Sequence, residues 1–534
     1  MNNSFIVITP PLLVIAAVFI TRRMIFSFIL GIVWAALIAT HGNMYQTAQL
    51  IIQRFFVSAG ISQIDSVYTF FNNWNIAIFL FLCSLGAIIV MLERTGAAMA
   101  YGTFIKKFVH TRRSAEVASL VMSLFFFIDD YFSALTVGSV MRPIAALYKL
   151  SPVKLAFLVT AMASPITIIS PVSSWVGEII LQLKQSGVSP ESSTAIIIAD
   201  PFYVFIHTIP FIFYALLLIL STWYIVIRRI SFGPMAYYEK HTHVIPHEDF
   251  PEITGSLVGF FLPLLTLIST IFIMLLLTGG YSFFGGVHDF VTALKHGVIH
   301  QSLLVAGLVS VVISSCYFLY KKQLTRQTLF VSLYDGMWLM LPSIIMLIHA
   351  WTLGSLLKQD LHTGDYIAHF LGLFVTVPVF PAVCFIAAAC IASLIGSAWA
   401  TISLMLPIII PMLQALLVLP IATPLDAVPL LLPIIGATLS GCIMGTHLSF
   451  IADNPIMSAA STGAHHLEHI KTMAWYIIPV GIATTCAYLI FGHTLSSCGI
   501  MTSFACSFAS GLLCAIVLLE CGQLFFSQPH NLKK

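Results

Sequence analysis

The sequence predicts an all-α polytopic membrane protein, with about 11 transmembrane helices plus two re-entrant hairpins in an inverted-topology repeat. Three observations carry that prediction. First, 59% of the 534 residues are hydrophobic and only 8% are charged. An ordinary soluble domain carries roughly a quarter charged residues, so lipid has to be the solvent for this much apolar surface. Second, the apolar residues gather into runs of bilayer length separated by clusters of Lys and Arg. Third, two runs are too long for one span and carry polar residues at mid-length, and each precedes another interrupted run.

A helix needs about 20 apolar residues to cross a bilayer. Runs of that kind are 5–20, 24–39, 76–92, 155–181, 201–227, 256–278, 301–319, 341–357, 426–445, 474–491 and 499–519. No basic residue precedes the first, so it reads as an uncleaved span and not as a secretory signal. Basic clusters fall at Arg22/Arg23, Lys106/Lys107/Arg112/Arg113, Lys149/Lys154, Arg228/Arg229, Lys321/Lys322/Arg326, Lys471 and Lys533/Lys534. The positive-inside rule then puts the N-terminus outside and the C-terminus in the cytoplasm, on one condition. The runs 117–147 and 380–418 must each return to the face they left, the first entering from the cytoplasm and the second from outside. A single crossing at either run would strand several basic clusters on the wrong face.

Each hairpin follows a span and precedes an interrupted helix, 155–181 in the first half and 426–453 in the second. This order is the pattern of an inverted repeat whose site lies near the midplane. The domain reading follows from it. Residues 1–75 form N-terminal helices and an external loop, 76–227 the first repeat and 228–340 a connecting segment with its own spans. Residues 341–491 form the second repeat, and 492–534 the last helix and a cytoplasmic tail.

Four polar interruptions carry the chemistry. In IDDYFSALTVGSVMRP, 128–143, Asp129 and Asp130 directly follow an apolar run. Each intramembrane acid costs roughly 2.5–3.5 kcal/mol to insert, a cost that persists only where the acid is paired, hydrated or used. Ser133, Thr136, Gly138 and Ser139 supply hydroxyls and backbone freedom for a hairpin tip. In SPITIISPVSSW, which opens at Ser164, Pro165 and Pro171 are expected to break the helix and free carbonyls near Ser170, Ser173 and Ser174. The third, IGSAWATISLMLP, places Gly396, Ser397, Thr401 and Ser403 at the second tip, without acids. The fourth, GTHLSFIADNP, offers Ser449, Asp453 and Asn454, and such oxygen ligands suit hard cations such as sodium.

From these residues the expected ion and proton site is Asp129, Asp130, Asp453 and Ser133, with sodium at Asp130 and Asp453. Ser164, Ser173, Ser174, Ser397, Thr401, Ser449 and Asn454 are the expected substrate contacts. Asp130 reads as the carrier and Asp129 as the group that tunes it or pairs with Arg142. A carboxyl that holds a proton and a cation in turn couples the two fluxes. Glu178 reads as a helix-end acid with a weaker claim to a proton path, and His349 as a satisfied core histidine. His465, His466, Glu468 and His469 read as a solvated segment beside Lys471 more than as a metal site.

Taken together, DDYFSALTVGSVMRP, ASPITIISPVSSW, GSAWATISLMLPI and GTHLSFIADNPIMSAASTGAHHLEHIKT resemble the NhaC-type sodium/proton antiporters of the ion-transporter superfamily. The resemblance runs in order from about residue 76 to 490. It implies a multi-pass protein of a bacterial inner membrane that exchanges sodium for protons by alternating access. In some relatives the coupled solute is a small organic anion such as malate or lactate, so an exchanger of small organic acids or amino acids is the alternative. Asp129, Asp130, Ser173, Ser174, Ser397, Thr401, Ser449 and Asp453 match the family's polar positions. Ser133, Ala146 and Thr446 stand where the family usually has Asn, Asp and Asp, and SFIADN replaces Ser-Pro-Ile-Ser-Asp-Thr at 449–454. The loss of acid at Thr446 lowers the negative charge of the site.

Other classes fit less well. No GxxxxGK[ST] sequence is present for ATP-driven transport, and the 10 cysteines include no CxxC pair that would mark a metal or redox centre. Asp130 and Asp453 could imitate an aspartyl protease dyad, but the GxGD-type element is absent. A channel needs neither mirrored hairpins nor titrating acids. The expectation is a secondary transporter without cofactors, whose partners are sodium, protons, an organic anion in the alternative reading, and the bilayer. Nucleic acid is not among them, and a homodimer is left open.

Overall fold

The computed structural model describes residues 5–21, 23–61, 70, 73–190, 195–241, 255–290, 292–293, 297–363, 366 and 375–526. Arg22, Lys533 and Lys534, used above for topology, lie outside the described residues. The chain divides into two compact units, each built from separate stretches. One comprises Met1–Ile38, Ile105–Phe250 and Leu357–Lys534, the other Ala39–Phe104 and Pro251–Leu356. This division cuts across the sequence boundaries, because 76–92 and nearly all of 341–357 fall together in the second unit.

Among the described residues, eight helices are long and apolar enough to cross a bilayer. They become nine if Pro201–Phe211 and Phe213–Arg228, bent by 43°, count as one broken span. The last helix, His466–Phe526, holds two expected spans and breaks at Gly499, where φ is 73° and ψ 170°.

The first unit holds both hairpins and both broken helices. The first hairpin is α1 (Arg112–Phe125) and α2 (Asp130–Leu147). A reciprocal cap between Thr111 and Ser114 starts α1. Asp129 starts α2, its carboxylate accepting the Phe132 N–H at 3.0 Å. The flanks of this hairpin meet, since the Tyr148 hydroxyl donates to the Val109 carbonyl at 2.7 Å. Both flanks also reach Glu239, from Arg112 at 2.6 Å and from Lys154 at 3.7 Å. The run therefore returns to the side it left.

Next come α3 (Pro152–Ile169) and α4 (Ser174–Gln185), separated by a short extended break. Only Pro171 lies in that break. Pro165, expected to break the helix, sits inside α3, where the chain stays helical for another turn. A proline there deletes one hydrogen bond without ending a helix that is packed on all sides.

The second hairpin is α5 (Phe380–Ile395) and α6 (Ala398–Leu416). Gly396 ends α5 at φ 77°, and Ser397 caps α6 by accepting the Ala400 N–H at 3.2 Å. A small parallel sheet of β1 (Val188–Ser189), β2 (Ile197–Ile198) and β3 (Thr423–Pro424) ties the segment after this hairpin to the segment after α4. Before the hairpin, the Lys358 ammonium donates to the Gln185 carbonyl at 2.7 Å. The helix end at Lys358, well before α5 in sequence, and the segment after α6 thus both rest on residues 185–198. The second broken helix is α7 (Leu431–Leu448) and α8 (Asp453–Thr462). It extends one helix beyond the expected 426–453.

In the second unit, the helix Trp74–Arg94 packs against both Ile299–Tyr320 and Arg326–Ser355. A Cβ at Gly86 would lie 2.2 Å from the Gly336 carbonyl oxygen, so this pair of glycines lets two helices touch backbone to backbone. Arg94 pairs with Asp335 near the end of that contact. His349 is half-buried and satisfied, its Nδ1 2.8 Å from the Ile345 carbonyl and its ring edge-on to Phe55.

Candidate functional site

The tip of each hairpin meets the break of the broken helix from its own half. The Ser174 N–H donates to the Ile128 carbonyl at 2.7 Å, joining the first tip to the first break. At the second, a Cβ on Gly396 would come within 2.7 Å of the Ile451 side chain. The two breaks also share a local solution. Ser170 accepts the Val172 N–H at 3.4 Å, and Ser449 accepts the Ile451 N–H at 3.3 Å. A hydroxyl that bonds the backbone two residues on stabilises a turn the helix cannot supply.

These contacts bring four helix N-termini to one small cavity, with room for about one water molecule. It is lined by Asp130 and Tyr131 of α2, Trp175 of α4, Ala398 and Trp399 of α6, and Asp453 and Asn454 of α8. Ser164, Gly396, Ser397, Thr446 and Ala452 complete the wall. Asp130 is held on three sides. One carboxylate oxygen accepts the Ser164 hydroxyl at 2.8 Å and the Asn454 amide at 3.1 Å, and the other accepts the Trp175 indole N–H at 3.1 Å. Asn454 also donates to Ser164 at 2.8 Å, closing the network. Asp453 lies across the cavity and takes a longer bond, 3.3 Å, from the Tyr131 hydroxyl.

Asp129 turns away. Beyond its capping bond it accepts the Ser174 hydroxyl at 2.9 Å, and it is not part of the cavity wall. Adjacent in sequence, the two aspartates therefore face different surroundings. Arg142, considered as a partner for Asp129, is 13 residues on along α2, about 20 Å away at the helical rise, and lies beside Gly463 instead.

The remaining expected residues divide into wall and support. Ser397 reaches the cavity, whereas Thr401 sits one turn deeper and donates to the Ser397 carbonyl at 2.8 Å. Ser173 is fully buried and spans its own break, donating to the Ser170 carbonyl at 3.3 Å. Ser449 likewise supports a break. Ser133 is buried on α2, and its hydroxyl has no hydrogen-bond partner among the described residues. His469 departs from the solvated reading: it is fully buried, with Nε2 2.9 Å from the Thr160 hydroxyl. No group of three metal-ligating side chains occurs among the described residues.

Trp175, Tyr131 and Trp399 were not expected in the site. Both Trp175 and Tyr131 close or follow motifs already singled out, DDYF and SPVSSW. An aromatic residue within an apolar run reads as core, and only its polar tip distinguishes it.

With this geometry, the sequence profile of the Na+/H+ antiporter family matches residues 191–493, which contain the second hairpin and the second broken helix. The chain belongs to the Na+/H+ antiporter family. An uncharacterized protein of Haemophilus influenzae is 27% identical over 500 residues, covering 93% of this chain and 92% of that one. Among solved structures, Neisseria gonorrhoeae MtrF, described as illuminating a class of antimetabolite efflux pumps, aligns with a TM-score of 0.50 at 12% identity. That alignment covers 92% of this chain and 86% of MtrF. The Alcanivorax borkumensis YdaH transporter, described as having an unusual topology, aligns at 0.46 with 15% identity, over 86% of this chain and 98% of that one. Family membership and the membrane-spanning fold make this Na+/H+ antiporter family member a secondary transporter.

Proposed function

We propose that this protein exchanges sodium for protons, with Asp130 and Asp453 as the groups that bind cation and proton in turn. One observation carries the reading: the cavity wall holds two carboxylates and no Lys, Arg or His. Each helix N-terminus contributes roughly half a positive charge. The four that meet here offset about two of the three carboxylates, counting Asp129, and leave about one negative charge. A monovalent cation or a proton balances that remainder. The exchange runs across a bacterial inner membrane with the N-terminus outside, as the basic clusters favour.

A second reading is a sodium-coupled exchanger of small carboxylates. It draws on the N-termini of α4 and α8, which have no side-chain cap bond and could hold an anion. Reconstitution into proteoliposomes with an internal pH dye separates the two. Sodium added outside acid-loaded vesicles should alkalinise the lumen at saturable sodium concentrations without any organic acid. A signal that requires malate, lactate or an amino acid would replace the first reading by the second.

A further inference from the structure

One face of α4 is polar where the helix is most deeply buried. Ser174, Glu178, Gln182 and Ser186 recur every fourth residue, and none is more than 1% exposed. Residues at that spacing share a helix face, and from Ser174 to Ser186 they extend about 18 Å. At one end Ser174 donates to Asp129. In the middle the Ser403 hydroxyl of α6 donates to the Glu178 carboxylate. Further on, neither the nitrogen nor the oxygen of the Gln182 amide has a hydrogen-bond partner among the described residues, and nor does the Ser186 hydroxyl. The far end lies at β1 and at Gln185, whose carbonyl holds Lys358.

An amide buried with both ends unpartnered is rare in folded proteins, and it marks a place where ordered water completes the bonding. Resting on the sodium/proton reading above, we infer that this face of α4 is a hydrated proton path between the sheet side of the protein and the aspartates, with Glu178 as its proton-binding site. Glu178 takes a proton from water held beside Gln182, which is itself reprotonated from solvent at the sheet side, and becomes a neutral carboxyl. It then releases that proton toward Ser174 and returns to carboxylate. The Ser174 hydroxyl, already donating to Asp129, passes its own proton to that carboxylate and is reprotonated from the Glu178 side. One proton enters and one leaves at each step. Gln182 holds the water and does not itself titrate.

The path also gives Asp129 a role that its turn away from the cavity otherwise leaves unexplained. Protons arrive through Asp129, the chain neighbour of Asp130, while the cation reaches Asp130 and Asp453 from the cavity. Few other ionisable groups compete with Glu178. The elements packed on α4 bring Lys154 at the far end of α3, and Asp200, Tyr203 and His207 at the helix Pro201–Thr208, while α6 brings none and Lys358 rests on the Gln185 carbonyl at the sheet end. Lys184 is on α4 itself.

Two measurements test the path. In proteoliposomes, Glu178→Gln should cut sodium/proton exchange at least tenfold, while sodium/sodium counterflow, which needs no proton, falls less than twofold. Wild-type exchange in Glu178→Gln at every pH would overturn the path, and so would equal loss of exchange and counterflow, which marks a structural role. Independently, Gln182→Cys in a cysteine-free background should react with a small water-soluble thiosulfonate from one side of the membrane. Gln182→Cys that is inert in a protein still labelled at Val418→Cys would show the face to be dry and end the proposal. If the wild type shows no sodium flux at all, the sodium reading fails, and the labelling still decides whether the face is hydrated.

Discussion

In the first repeat the residue that caps the second hairpin helix is Asp129, and the next is Asp130. In the second repeat the same two places hold Ser397 and Ala398. After the breaks the pattern inverts, with Ser174 and Trp175 in the first repeat and Asp453 and Asn454 in the second. One backbone plan therefore carries acids on the hairpin in one half and on the broken helix in the other. Because each tip meets its own break, a duplicated acid pair would put like charges together within one half. Splitting them leaves Asp130 bonded to Asn454 and Asp453 bonded to Tyr131, so each acid is served from the opposite half. In the proposed exchange, two acids that belong to different halves sense the relative motion of those halves, which alternating access requires.

The first way to break this comparison is topological, and its outcome is all-or-none. With native cysteines removed, cysteines at the exposed positions Lys107 and Lys149 should label from one side of the membrane. Those at Thr376 and Val418, also exposed, should label from the other. Lys154, though part of the same basic cluster, is buried against Glu239 and would mislead as a probe. Labelling of Lys107 and Lys149 from opposite sides would dissolve the first hairpin and the symmetry with it.

The second concerns the acids themselves. Asp130→Asn should lower sodium/proton exchange more than about 100-fold, since it removes a carboxylate that three donors hold in place. Asp453→Asn should weaken apparent sodium affinity about tenfold, roughly 1.4 kcal/mol, and shift the pH optimum, because its single long bond leaves it freer to rearrange. Flux measured against sodium and pH in reconstituted protein checks both. Equal effects at the two positions would mean that the bonding difference between them carries no functional weight.

The third compares the tips. The first turns on an acidic cap, the second on Gly396 at φ 77° with the Ile451 carbonyl 3.1 Å from where a Cβ would sit. Gly396→Ala should destabilise the protein by about 1–2 kcal/mol, read as a lower unfolding temperature in detergent. Ser170→Ala and Ser449→Ala, which remove equivalent turn bonds, should each cost about 0.5–1.5 kcal/mol and match one another.

Much of this plan was legible in the letters, for identifiable reasons. Lys and Arg mark sidedness because charge crosses a bilayer at high cost, so the two returning runs showed in the spacing of Arg112, Lys149 and Arg228. Asp129 and Asp130 stood out because acids beside FFF are expensive in lipid. Where the helix breaks was harder to read. Pro165 and Pro171 look alike in sequence, and only packing shows that α3 absorbs the first. The equivalence of Ser170 and Ser449 is hidden because SPVSS and SFIAD share one letter in register while their backbones follow the same course. Trp175 was hidden by its own hydrophobicity. Which spans pair with which, as Gly86 and Gly336 do, depends on contacts between distant stretches and leaves no local signature.

The smallest expected effect concerns the ties that close each hairpin. On the first side, charge meets charge, Arg112 and Lys154 on Glu239, with the neutral bond from Tyr148 beside them. Among the described residues the second side has no such partner at Lys358, whose ammonium rests on the carbonyl of Gln185, the last residue of α4. Burial without a counter-charge lowers its pKa to about 8, from about 10.4 for a free lysine. The unfolded chain then binds the extra proton more readily than the folded one, so stability rises with pH between about 8 and 10 and is lost as pH falls through 8. In detergent the unfolding temperature should climb by about 2 °C across that window, and Lys358→Met should flatten the climb by removing the titrating group. Glu239→Gln, on the first side, should leave the slope in place while lowering stability at every pH. A slope that survives Lys358→Met would assign the pH sensitivity to another group and leave the two hairpins closed by ties of the same kind.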